Sequence, residues 1–384
     1  MIRALAVPML SLALAGCAVA PPSGGVARFL ADERFAPPSQ PVDAARVFAA
    51  SDGMRRYIAD EIGELSGSRG KQQALVDALR SKGQLKLDYD AAYTRNAAEA
   101  FEARTGNCLS LVIMTASLAR EMGIGVRFQN VFVDETWSRQ GDIYFSIGHV
   151  NLTLGRRPAK LGTRIDDGEQ LTVDFLPPPD VAGLHWRVIE ENTILAMYMN
   201  NRAAESFAAG RLDDAYWYAR ESVLHDPGFV TAWNTLGVIY HRRGHLEEAE
   251  RVLAHALDRE PRNTRVMTNL VNVYSAQGRA QAAQEMGLRL ARLEPEPPFA
   301  FFNRGMAAMR EGDFQQARAL FGREVERAPY YHEFHFWLAL ALANLGESEG
   351  ARRHLALALE NSTTRRDHEI YAAKLQRISS GRAH

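Results

Sequence analysis

The chain has 384 residues, 46% of them apolar, and its 45 Lys and Arg offset 46 Asp and Glu. A chain of this length calls for two or three domains, and the balanced charge gives no basic excess of the kind that binds nucleic acid. Only two cysteines are present, Cys17 and Cys108, and beyond the first residues no apolar run is long enough to span a membrane.

In chain order, Arg3 supplies a short positive start, and Ala4 to Ala13 form an apolar stretch too short for a membrane helix. Leu14-Ala15-Gly16-Cys17 follows, and residues 21–40, which contain Pro, Ser and Gly, read as a tether. The tetrapeptide resembles a bacterial lipobox. That resemblance implies residues 1–16 as a signal peptide and 17–42 as a lipidated N-terminus and tether. It makes Cys17 the lipidation site of an envelope-anchored protein, facing the periplasm. Ala18 after the cysteine points to the outer membrane. The alternative is an ordinary secretory signal cut near Ala20. Acyl chains on Cys17 would anchor the chain without a membrane helix. Cys108 would then have no partner in its own chain, in a compartment that is oxidising. A lone thiol kept there favours a chemical role.

The patterns from residue 43 to 82 are helical, in "AARVFAASDGMRRYIADEIGEL" (44–65) and "KQQALVDALRSKG" (71–83), with Ser51 or Asp52 as a helix cap. "TGNCLSLVIMTASLAREMGI" (105–124) is apolar nearly all round, which predicts a buried helix. Asn107 is its expected N-cap, which puts Cys108 on the first turn, where the helix dipole favours a thiolate. Gly106 permits close backbone approach. By itself this segment leaves two readings open, a packing thiol or a nucleophile.

"GVRFQNVFVD" (125–134), "IYFSIGHVNLTLG" (143–155) and "LTVDFLP" (171–177) read as strands. In the second, Val150, Leu152 and Leu154 face one side, and His149, Asn151 and Thr153 the other. In the third, Leu171, Val173 and Phe175 share a face, opposite Asp174. A thiol at a helix start, a histidine to exchange its proton and a carboxylate to orient that histidine are the parts of a thiol-dependent acyl-transfer site.

These residues occur in the order Cys, His, Asp, on a helix and then two strands. In this order they resemble the transglutaminase-like superfamily, across about residues 85–180 and most clearly in "NAAEAFEARTGNCLSLVIMTASLAREMGI", "GHVNL" and "VDFLP". The resemblance implies a papain-like α+β core over residues 43–190, including its N-terminal helices. It makes Cys108 the nucleophile, His149 the base and acid, and Asp174 the orienting carboxylate. No cofactor and no metal is implied. "VDFLPP" departs from the Asp-Pro of true transglutaminases, which argues against crosslinking more than against the triad. Gln129 is a candidate oxyanion donor, and Trp137, read as lying in a loop before the histidine strand, a candidate shield for the thiolate. The basic stretch "GRRPAKLGTR" (155–164) reads as a solvated hairpin.

The second half is periodic. Pro227, Pro261, Pro295 and Pro329 stand 34 residues apart, and Ala215, Ala249, Ala283, Ala317 and Ala351 keep the same step. Residues 230–261 carry Trp233, Leu236, Gly237, Tyr240, Ala249, Ala256 and Pro261, and they match the tetratricopeptide pattern. Small residues at Gly237 and Ala249 let paired helices approach closely. The array is expected over 196–363, with its fifth repeat a degenerate cap and 364–384 a C-terminal helix or tail. Such arrays bind protein or peptide partners. His332 and His335 stand one helical turn apart, but no third ligand accompanies them, so they read as one face of a repeat helix.

The fold expected is thus a transglutaminase-like core followed by an all-α solenoid. The leading functional expectation is an envelope-anchored cysteine hydrolase of peptide or amide bonds, its repeats binding substrate or partner. Two alternatives stay open: a non-catalytic interaction scaffold, and an acyl transferase that crosslinks.

Overall fold

The computed structural model describes residues 25–63, 70–80, 87–90, 93–140, 143–155, 170–175 and 185–379, the side chains at 80, 88–89 and 133–147 excepted. Leu14 to Cys17 and the basic stretch beyond Gly155 lie outside those residues.

The first unit is built around one helix. α1 (Asp52–Tyr57) begins where Ser51 Oγ accepts from the Met54 amide at 3.2 Å, and it continues as a π-helical turn, Ile58–Ile62. Ser51 is extended and caps the helix, as its place in the sequence predicts. α2 (Lys71–Arg80) and α3 (Ala97–Ala103) follow, with a short parallel pair between β1 (Asp88–Tyr89) and β2 (Thr105–Gly106). α4 (Cys108–Glu121) comes next, and every side chain from Cys108 to Ala119 is buried. A helix apolar on all sides can only be central.

The sheet that packs on α4 contains β3 (Gly125–Gln140), β4 (Ile143–Gly155), β5 (Leu171–Val173) and β6 (His185–Ile189), in the order β5-β4-β3-β6 and antiparallel throughout. Val150, Leu152 and Leu154 join Phe128, Val173 and α4 in the core. The period of two puts Gln129 and Asn151, directly opposite each other, on the other face with Val131 and His149.

The second unit is a run of helix pairs: α5 (Glu191–Ala208) with α6 (Leu212–His225), α7 (Val230–Arg243) with α8 (Leu246–Arg259), α9 (Thr264–Ala276) with α10 (Ala280–Leu293), α11 (Ala300–Glu311) with α12 (Phe314–Arg327), and α13 (His332–Asn344) with α14 (Ser348–Glu360). The sharp turn inside each pair recurs as Gly210, Gly244, Gly278, Gly312 and Gly346, all with φ between 72° and 80° or at 85°. That left-handed region costs glycine no Cβ clash. A Cβ on Gly237 would stand 2.5 Å from Leu253 Cγ, so the glycine lets α7 lie close against α8. The fifth pair, whose sequence reads as a degenerate repeat, is also a helical hairpin. α15 (Arg365–Ser379) packs beyond it, with Tyr371 OH 2.7 Å from His332 Nδ1.

Two sequence expectations change. Residues 25–42 are not a free tether: Phe29, Ala31 and Phe35 are buried in the core of the first repeats. Apolar side chains in a segment otherwise rich in Pro and Ser are the cause. Nor does a boundary at residues 190–196 separate two bodies. Ile194, Leu195, Tyr198 and Met199 of α5 are buried in the core of the first unit, while Ala203 of the same helix belongs to the core of the repeats.

Candidate functional site

Cys108 opens α4. Asn107 is extended, with φ −74° and ψ 171°, and its Oδ1 accepts from the Ser110 amide at 2.9 Å and from Ser110 Oγ at 2.8 Å. This is the N-cap the sequence predicts, and it fixes the first turn. Gly106 is required by contact, since a Cβ there would lie 2.7 Å from Ser110 Cβ. Cys108 is 7% exposed, with Sγ 4.0 Å from the Gly148 carbonyl oxygen.

The neighbouring residue on that strand, His149, is 3% exposed. Its Nε2 donates to Asp174 Oδ1 at 2.8 Å. Burial alone would push the imidazolium down. Hydrogen bonds to Asp174 and to Cys108, reinforced by their charges, overcome that and raise it to about 9. With Nε2 held by the carboxylate, the ring's Nδ1 is left for the thiol. Asp174 follows the end of β5, and its Oδ2 accepts from Asn151 Nδ2 at 2.8 Å. The structure therefore brings Cys108, His149 and Asp174 together.

Gln129 is buried on β3 opposite Asn151, on the polar face of the sheet. Trp137 is not in a loop. It stands in β3 opposite Ser146, past a register shift between Val131 and Thr136, and its side chain lies outside those described. β3 runs six residues beyond the stretch read as a strand because the long hairpin continues pairing after that shift.

Sequence reasoning gave no role to three residues. Asn151 was visible as a polar residue on the histidine face, but its contact with Asp174 depends on strand pairing. Thr94 and Glu205 carry no local signal. Thr94 Oγ1 accepts from Asn107 Nδ2 at 2.9 Å and from Asn201 Nδ2 at 3.2 Å, and the Thr94 amide donates to Glu205 Oε1 at 2.7 Å. Burial pushes the Glu205 carboxyl above its ordinary range, against the pull of Arg202 and of the Thr94 amide. Helix α5 thus braces the cap of the cysteine helix.

His332 and His335 turn to different partners. His335 Nε2 is 2.7 Å from the Pro329 carbonyl and its Nδ1 is 2.9 Å from His354 Nδ1, while His332 meets Tyr371. Among the described residues no group of three or more His, Cys, Asp or Glu converges as metal ligands would.

Comparison with known proteins divides the chain in the same way. Residues 56–154 match the sequence model of the transglutaminase-like superfamily, which takes in Cys108 and His149 and ends before Asp174. Residues 243–300 and 302–365 match tetratricopeptide repeat models. The human tetratricopeptide repeat protein 7A is 31% identical over 107 residues, which are 28% of this chain and 12% of that protein. The chain thus spans only about an eighth of that relative's length. Among solved structures, YrrB, titled a tetratricopeptide protein with an unusual peptide-binding site, is 21% identical over 47% of this chain and 92% of its own, with a TM-score of 0.25. TTC0263 of Thermus thermophilus is 20% identical over 47% and 99%, with a TM-score of 0.30. The chain combines a transglutaminase-like domain near its N-terminus with a long tetratricopeptide repeat array toward its C-terminus.

Proposed function

We propose that the first unit is a cysteine acyl-transfer enzyme that hydrolyses peptide or amide bonds, and that the repeats bring it its substrate or partner. The observation that carries this reading is the 2.8 Å contact between His149 and Asp174, made beside a cysteine on the first turn of a helix. The Cys108 thiolate attacks the substrate carbonyl. The oxyanion is met by the Cys108 N–H, one of the amides a helix cannot satisfy internally. The C–N bond breaks as the His149 imidazolium gives its proton to the departing amine. Neutral His149 then takes a proton from water, whose oxygen attacks the thioester. The C–S bond breaks as the tetrahedral intermediate collapses, the acid leaves, and the expelled Cys108 thiolate stands again beside the imidazolium that took the water proton. Asp174 holds the ring throughout, and Gln129 is a second oxyanion donor.

Repeat arrays serve protein interaction in general, which supports a recruiting role here. The segment Leu14 to Cys17 supports attachment to the outer membrane through acyl chains on Cys17.

The test is an ester burst with p-nitrophenyl acetate. One equivalent of nitrophenolate per chain is expected, with acetyl on Cys108 by mass spectrometry, and none from Cys108→Ser. An amine added to the acylated protein should leave the hydrolysis rate unchanged. Capture of the acyl group by that amine would make the enzyme a transferase, and no burst at all would leave a binding scaffold.

A further inference from the structure

The described chain begins with a segment that lies across the first two helix pairs in the manner of a bound peptide. Phe29 and Phe35 are 4% and 7% exposed. Phe35 stacks on Tyr216 of α6 with ring centroids 3.9 Å apart, and Phe29 meets Trp233 of α7 edge-on at 5.2 Å. Phe29 also meets His255 of α8 at 4.6 Å. The segment therefore fills the space between α6 and α8, with α7 beneath it.

About half of its polar contacts are made by its backbone. Tyr240 OH donates to the Phe29 carbonyl at 3.0 Å, and Trp217 Nε1 donates to the Ala36 carbonyl at 2.6 Å. The Ala31 amide donates to Tyr216 OH at 3.0 Å, and the Ser39 amide to Asp214 Oδ1 at 2.7 Å. Side chains of the repeats that read the main chain of such a segment accept more than one sequence. Selectivity then comes from what the side chains meet. Here those are the two aromatic rings, Ser39, whose Oγ donates to Asp214 Oδ2 at 2.8 Å, and Asp32, which accepts from Tyr216 OH at 2.6 Å and from Arg220 Nε at 3.0 Å.

We propose that the groove between α6 and α8 is a recognition site for segments of the pattern Phe-x-x-Asp-x-x-Phe folded as short 3-10 turns, and that residues 26–39, with such turns at Ala27–Phe29 and Asp32–Arg34, occupy it in cis. The site is distinct from the Cys108 centre and independent of its chemistry. A partner chain displaying the same pattern would have to displace the chain's own segment, so the first two repeats are closed to binding until that segment leaves.

The test uses the full chain and a fluorescent peptide of residues 25–40. Wild type should not bind the peptide, because its groove is filled. Phe29→Ala/Phe35→Ala should bind it saturably, and a peptide carrying Asp32→Ala should bind at least about tenfold more weakly, having lost charge-assisted hydrogen bonds. Equal binding to wild type and variant, or binding to neither while the variant keeps its helical circular dichroism, would overturn the proposal. A second form guards against a variant that does not fold. It carries a protease site in place of residues 40–42. After cleavage the N-terminal fragment should stay with the body on gel filtration and exchange for labelled peptide; a fragment that does not exchange would also overturn it. Occupancy in cis predicts that neither behaviour depends on protein concentration. A concentration-dependent wild-type dimer lost in the double variant would place the segment in a second copy and overturn the cis assignment.

Discussion

Asn151 holds one oxygen of Asp174 while His149 takes the other. Asn151 Nδ2 lies 2.8 Å from Oδ2, and His149 Nε2 lies 2.8 Å from Oδ1. The carboxylate is fixed in rotation by two residues that sit on the same face of β4, two positions apart. A hydrogen bond to a charged group contributes about 1.5–3 kcal/mol. Asn151→Ala should therefore let the carboxylate turn and lower the rate of Cys108 modification at neutral pH by about tenfold. Asn151→Gln should recover little, since the longer side chain misplaces the amide. Stopped-flow alkylation of the three proteins checks this; equal rates would remove Asn151 from the site.

The pH dependence of stability follows from His149. Its imidazolium is raised to about 9 in the fold, above the ordinary histidine value of about 6.5. A group whose folded value is raised contributes stability that is fully present below about 6.5 and lost as pH climbs through about 9. Urea midpoints should fall across that window in wild type and fall less in Asp174→Asn, which removes the charge that sustains the shift. A midpoint flat from pH 6 to 9 in wild type would contradict the pairing.

Gly106→Ala tests the cap. The added Cβ meets Ser110 Cβ at 2.7 Å, on the turn that carries Cys108. Overpacking of this kind costs about 1–3 kcal/mol. The variant should lose stability by that amount in chemical denaturation, with Cys108 modified more slowly while it is still folded. A variant as stable as wild type, with an unchanged rate, would mean that the turn relaxes freely.

Helix α5 belongs to both units, so where the chain is cut matters. A chain ending at residue 190 loses Ile194, Leu195, Tyr198 and Met199 from the first core, and with Asn201 and Glu205 it loses the brace on Thr94. Such a chain should fail to fold. A chain ending at residue 228 keeps α5 and α6 and should hold its cysteine helix in place, as read by retained circular dichroism and Cys108 modification within about twofold of wild type. If the shorter chain folds and reacts equally well, α5 is not part of the site's support.

Much of this architecture was legible in the sequence, for identifiable reasons. The 34-residue period comes from helix pairs that repeat one packing solution, so Gly237 and Ala249 mark it directly. The alternation around His149 and the apolar run after Cys108 report burial on two sides of one core. Asn107 as a cap depends only on its own backbone and the next turn. What could not be read depends on contacts distant in sequence. Asn151 meets Asp174 only after β4 and β5 pair. Thr94 meets Glu205 across 111 residues, and Tyr216 receives Phe35 from a segment whose Pro and Ser content resembles a linker. β6 was missed because its first four residues are exposed and show no alternation.

The central claim is that Cys108 and His149 form a reactive pair, and the rate of Cys108 alkylation by iodoacetamide against pH tests it most directly. The reacting cysteine is identified by peptide mass spectrometry. Held beside the raised His149 imidazolium, wild-type Cys108 should react readily at pH 6, and His149→Ala should lose about tenfold or more of that rate there. A wild-type Cys108 that reacts only after denaturation, or a His149→Ala profile that overlays the wild type, would contradict the account.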